Sequence, residues 1–112
     1  MGSEVQILSS RPANVDVGKM ADKSAAHILI EGRVQGVGFR NFAQRYGYLL
    51  SLKGLVKNVS NGQVEIEVEG DRTKIDLFVE HLHRGPALAK VTKVNVSWAP
   101  PSNKFSEFSI IL

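Results

Sequence analysis

Arg40 closes a run of glycines and small apolar residues, Gly32-Arg33-Val34-Gln35-Gly36-Val37-Gly38-Phe39, and that spacing is the strongest chemical signal in the chain. An apolar stretch, Ile28-Leu29-Ile30, precedes the run, and a helix-like pattern begins at Phe39. A glycine-rich bend between a strand and a helix start leaves backbone N–H groups free and lets a ligand approach the main chain closely. The N–H groups of Val34, Gln35, Gly36, Val37 and Gly38 are therefore expected to form an anion cradle. Arg40 falls in the first turn of the expected helix, where the positive end of the helix dipole disfavours a cation by roughly a few tenths of a kcal/mol. A bound phosphate-like anion removes that conflict, and Arg40 with the bend is the first candidate site. The plain alternative is a set of turn glycines beside a solvent-facing arginine. Asn58 is the second candidate. It stands before Ser60-Asn61-Gly62, whose Asn-Gly pair already supplies turn chemistry, so its own place calls for another reason.

Other chemistry-bearing residues carry weaker signals. The bend is not a nucleotide P-loop, because Phe39-Arg40 stands where Lys-Ser/Thr would follow, and the glycine spacing fails the dinucleotide pattern. His81 and His83 are two apart on an expected helix and do not share a face, so no metal pair is expected there. His27 has no histidine or cysteine nearby in sequence and reads as an ordinary half-buried strand residue. Glu65, Glu67 and Glu69 are evenly spaced and read as a solvated strand face rather than paired acids. The absence of cysteine rules out disulfides, thiolate metal sites and thiol catalysis.

The elements that must position these residues follow from periodicity. Ala26 to Glu31 reads as a first strand with Ile28 and Ile30 on one face. Phe39, Phe42, Ala43, Tyr46 and Leu50 recur at helical spacing up to about Ser51, with Asn41, Gln44 and Arg45 facing water. Leu55 to Val59 reads as a second strand, and Asn61-Gly62 as a type I′ hairpin turn with positive φ at both central positions. In the return strand Val64, Ile66 and Val68 alternate with the three glutamates, the mark of an antiparallel sheet covered by helices on one side. Asp71 offers an N-cap to a second helix whose apolar stripe is Ile75, Phe78, Val79 and Leu82, stopped at Gly85-Pro86. Thr92, Val94, Val96 and Trp98 share a face of a further strand, and Phe105 to Leu112 ends as a short strand. The resulting order, β-α-β-β-α-β-β, is the ferredoxin-like split β-α-β sandwich of the α+β class with one added strand, two helices on one face of a mostly antiparallel sheet.

A chain of 112 residues supports one domain, here expected over 25–112, because Met1 to Ser24 shows no sustained period and reads as a disordered or cloning-derived tail. Apolar content of 43% with 22% charged residues is that of an ordinary globular protein. No window approaches the roughly 18 apolar residues of a membrane span, and no signal-peptide core precedes the fold. A cytoplasmic protein is expected. The formal charge of +3 attracts anions but is too weak to argue nucleic acid alone.

Two segments together resemble the acylphosphatase family, over the whole of residues 25–112. The first family motif is an apolar residue followed by Gly-x-Val-Gln-Gly-Val-x-Phe-Arg, and Ile30, Gly32, Val34, Gln35, Gly36, Val37, Phe39 and Arg40 meet it throughout. In the second, Gly54, Val56, Lys57, Asn58, Gly62, Val64 and Gly70 match, while Leu55 stands in place of an aromatic. The resemblance implies hydrolysis of small acyl phosphates to carboxylate and inorganic phosphate, with Arg40 binding the phosphoryl group and Asn58 positioning the attacking water. It implies no cofactor or metal, inorganic phosphate as product or inhibitor, and a monomer. An acylphosphatase-like domain of a larger carbamoyl-transfer maturation protein is the nearest alternative, although a chain ending soon after its last strand leads us to expect a free-standing enzyme. A ferredoxin-like anion- or RNA-binding module is a further alternative, disfavoured by the glutamate face and the lack of aromatics on the middle strands.

Overall fold

A computed structural model describes residues 22–112, and the tail expected over residues 1–24 lies outside them as far as residue 21. The elements are β1 (Lys23–Arg33), α1 (Phe39–Leu49), β2 (Lys53–Asn58), β3 (Val64–Asp71), α2 (Arg72–Arg84), β4 (Lys90–Ala99) and β5 (Phe108–Ile111). They build one five-stranded sheet in the order β4-β1-β3-β2-β5, antiparallel except where β5 runs parallel to β2. This is the expected element order and the expected α+β class. β1 begins earlier than expected: Lys23 pairs with Asp71 and Ser24 with Gly70, while the Asp22 carbonyl accepts the Arg72 N–H at 2.9 Å.

The core lies between the sheet and both helices. Ile28, Ile30, Val56, Val64, Ile66 and Val68, all of one strand parity, are fully buried in one cluster with Phe39 and Ala43 of α1 and Ile75, Phe78 and Leu82 of α2. The α1 stripe is rotated from the expected one. Gly47 is buried because its missing Cβ admits the Phe108 ring, which an added Cβ would meet at 2.5 Å. Phe42 and Tyr46 are only half-buried, with Tyr46 stacked on His81 of α2 at 4.0 Å between centroids. Gln44 does not face water as expected; its amide donates to the Phe108 carbonyl at 3.0 Å and ties α1 to β5. Asp71 caps α2 as expected, accepting the Thr73 N–H at 3.1 Å, and Gly85 ends it with a bond to the His81 carbonyl.

Three local expectations are corrected. In β4 the register shifts opposite Glu31 and Gly32, so Val91 joins Val94 and Val96 on the inner face and Thr92 is exposed. Gly32 permits that bulge, since a Cβ there would lie 2.1 Å from the Lys90 carbonyl oxygen. The β2–β3 turn is not type I′. Only Gly62 has positive φ, and Gly62 N–H bonds to the Val59 carbonyl while Val59 N–H bonds to the Gln63 carbonyl, a three-residue loop with glycine at the left-handed position. The glutamate face is only half exposed. Glu65 accepts from His27 Nε2 at 2.6 Å and faces Lys57 at 3.6 Å, Glu67 faces Lys104 at 3.4 Å, and Glu69 accepts the N–H groups of Ser102 and Asn103.

Candidate active site

The bend between β1 and α1 is shaped by two left-handed glycines. Gly36 has φ +75° and Gly38, the N-cap of α1, has φ +81°. A Cβ at either would meet nothing within 4 Å, so backbone twist, not crowding, requires glycine there, and the space above the loop is open. Val34 is fully buried and Val37 packs against the core, which leaves Gln35 half-buried and both glycines exposed. Gly38 has no side chain to cap the helix, and the first turn of α1 carries no acidic residue. Its leading N–H groups are therefore uncapped by side chains at the positive end of the dipole.

Gln35 locks this bend to the hairpin. Its Nε2 donates to the carbonyls of Val59 and Gln63, each at 2.8 Å. The expected cradle uses only the backbone of Gln35, and the motif that contains it assigns no partner to its side chain. A single long polar side chain among glycines and valines was the available signal for a cross-link, but its partners lie 24 and 28 residues away.

Arg40 and Asn58 approach the same end of the sheet from different elements. Arg40, half-buried in the first turn of α1, donates from Nη1 to the Ile111 carbonyl at 3.2 Å. Ile111 on β5 is the parallel partner of Lys57, the residue before Asn58. Asn58 ends β2 opposite Val64 and shares parity with Val56, so its side chain lies on the helix side of the sheet. It is half-buried, and its amide makes no hydrogen bond to another described residue. Both neighbours of Asn58 are tied: Lys57 through β5 toward Arg40, and Val59 through Gln35 to the bend.

The remaining polar candidates sit elsewhere. His27 pairs with Glu65 on the sheet face away from the helices. The His27 hydrogen bond, opposed by burial and aided by Lys57, holds the Glu65 carboxyl below its ordinary value. On Glu69, burial alone would raise the pKa, but bonds from the Ser102 side chain and the Asn103 and Ser102 N–H groups outweigh it and hold the carboxyl low. His81 stacks on Tyr46 and accepts from Arg84 at 2.6 Å, whereas His83 is exposed. Among the described residues no group of three or more His, Cys, Asp or Glu side chains converges, and no helix is long and apolar enough to cross a membrane.

Comparison with known proteins bears on the reading directly. The acylphosphatase family model matches residues 26–110. An acylphosphatase from Anaeromyxobacter dehalogenans is 44% identical over 81% of this chain and 98% of its own length. One from Thermus thermophilus is 47% identical over 62% of this chain and 80% of its own. Among solved structures, the acylphosphatase from Bacillus subtilis superposes with a TM-score of 0.77 at 38% identity, covering 80% of this chain and 99% of that one. Full-length HypF in its phosphate- and nucleotide-bound form superposes with a TM-score of 0.71 at 30% identity, over 80% of this chain but 12% of that one. With the same fold, a family match over residues 26–110 and relatives matched over nearly their full length, this chain belongs to the acylphosphatase family, hydrolases of acyl phosphates.

Proposed function

We propose that Arg40 and the backbone N–H groups of Val34, Gln35, Gly36, Val37 and Gly38 hold the phosphoryl group of a small acyl phosphate while the Asn58 amide positions the attacking water. The observation that carries this reading is the Asn58 amide, without a hydrogen-bond partner among the described residues, at the sheet end that Arg40 reaches through Ile111. A phosphoryl group carries its charge on equatorial oxygens, which suit a planar guanidinium and convergent N–H groups. The water oxygen attacks phosphorus, the bond from phosphorus to the carboxyl oxygen breaks, and the carboxylate leaves with the electron pair. A carboxylate whose conjugate acid has a pKa of about 4 departs without a general acid. The water's proton passes to a phosphoryl oxygen, so the products are a carboxylate and inorganic phosphate, and no side-chain base is needed. An amide presents one acceptor and two donors, enough to orient a water without deprotonating it.

Asn58→Ala tests the division of labour. Turnover of acetyl or benzoyl phosphate should fall roughly a hundredfold, the effect of losing one preorganised transition-state hydrogen bond of about 3 kcal/mol. Phosphate affinity, read as the melting-temperature rise with added phosphate, should persist. Unaltered turnover, or equal loss of both in a variant shown by its thermal melt to be folded, removes Asn58 from this role. A second reading follows from the likeness to part of HypF: the same site serving as one domain of a larger protein. Lack of turnover on any free small acyl phosphate would favour it.

A further inference from the structure

The outer face of the sheet carries a side-chain chain that the reaction above does not use. Gln63, directly after the turn, donates from Nε2 to Glu31 Oε2 at 3.1 Å, and its Oε1 accepts from Asn61 Nδ2 at 2.8 Å. Ile30 pairs with Val64, so Glu31 and Gln63 stand opposite each other one step beyond the ladder, on the face away from the helices. The main chain of Gln63 is also committed: its carbonyl accepts both the Val59 N–H at 3.0 Å and Gln35 Nε2 at 2.8 Å. The residue that receives the cradle's cross-link is thus held from behind by the end of β1, the strand that leads into the cradle.

We propose that the Glu31–Gln63 pair is a positioning device for the reaction, setting the hairpin against the cradle so that the Asn58 amide meets the phosphoryl group at the right distance. This rests on the assignment of Asn58 to the attacking water. The ladder that holds the hairpin to β1 ends where Ile30 pairs with Val64, and beyond it the turn is tied to the cradle by the Glu31–Gln63 pair and by Gln35, whose one donor group serves two carbonyls. Asn58 is the last ladder residue before the turn, paired with Val64, so a turn that shifts without the pair displaces it, and errors of about an ångström in an attacking group cost up to ~100-fold in rate. Arg40, carried by α1 directly after the cradle, keeps its hold on the anion.

The test is a swap of the two side chains. Gln63→Glu sets two carboxylates against each other while keeping an acceptor for Asn61, and Gln63→Leu removes the contact with no added charge. Each should lower kcat about tenfold, as a partial displacement of the attacking water would, with the phosphate-induced melting shift intact. Glu31→Gln combined with Gln63→Glu rebuilds an amide–carboxylate pair with the original net charge and should restore kcat to within about twofold. In an Asn58→Ala background, neither Gln63 variant should lower kcat further. Folded single variants with normal kcat, a swap that fails to restore it, or the full loss persisting without the Asn58 amide would each overturn the proposal. Normal kcat in Asn58→Ala alone would instead overturn the role of Asn58, which separates the two failures.

Discussion

In the proposed site Arg40 makes a planar, two-pronged contact with the phosphoryl group, and lysine offers only a point charge on a flexible stem. Arg40→Lys should therefore abolish the phosphate-induced rise in melting temperature and lower turnover by about a hundredfold or more, although charge is kept. A variant with near-normal phosphate response would remove Arg40 from the clamp. The loop and Arg40 were legible in the sequence because their signal is local: glycines at a strand-to-helix bend and a cation where the dipole is already positive. Asn58 was legible by elimination, since the turn after it had its own asparagine and glycine. The cross-link made by the Gln35 side chain, Gln63 and the Ile111 carbonyl were not, because their partners come from other elements and leave no period or motif.

At the level of elements, alternation told which residues of β1 and β3 face the core, and those are the residues buried against the helices. It failed where the ladder does not advance evenly. In β4 the bulge at Glu31 and Gly32 moves Val91 inward and Thr92 outward, a shift that the β4 sequence cannot carry because its cause is a glycine in β1. Gly32→Ala should be costly for that reason. Its φ of +125° strains an alanine, and the new Cβ would press on the Lys90 carbonyl at 2.1 Å. The expected loss is about 3 kcal/mol or more, read as a lower denaturant midpoint; an unchanged midpoint would mean that the bulge is not needed. The glutamate face was misread for a related reason. Periodicity shows which face is turned from the core, not that Ser102 and Asn103 would fold back onto Glu69.

On the scale of the whole molecule, Glu69 links acid stability to the fold of the β4–β5 connection. Its folded pKa lies below the ordinary 4.5, so the stabilisation is complete above that value and is lost as pH falls through the folded value. Glu69→Gln should lower the melting temperature at neutral pH and flatten its decline in acid; parallel curves for variant and parent would exclude Glu69 as a source of that decline. The order of the sheet has another consequence. Only β2 and β3 are neighbours both in sequence and in space; β1 with β3, β1 with β4, and β2 with β5 each close a long loop. The entropy of those closures is lost before the contacts repay it, which places folding among the slower topologies, milliseconds to seconds for such sheets. The hairpin can form early, but the Arg40 bond to the Ile111 carbonyl, on the strand beside Lys57, forms only when β5 has docked beside β2. Trp98, the single tryptophan, stands on β4 beneath the Arg72 guanidinium at 3.6 Å and reports closure of the opposite edge. After dilution from denaturant, the fluorescence of Trp98 and the return of activity should share one rate constant, so that the protein becomes an enzyme in the same event that makes it a fold; activity lagging behind fluorescence would mean that the two edges close separately.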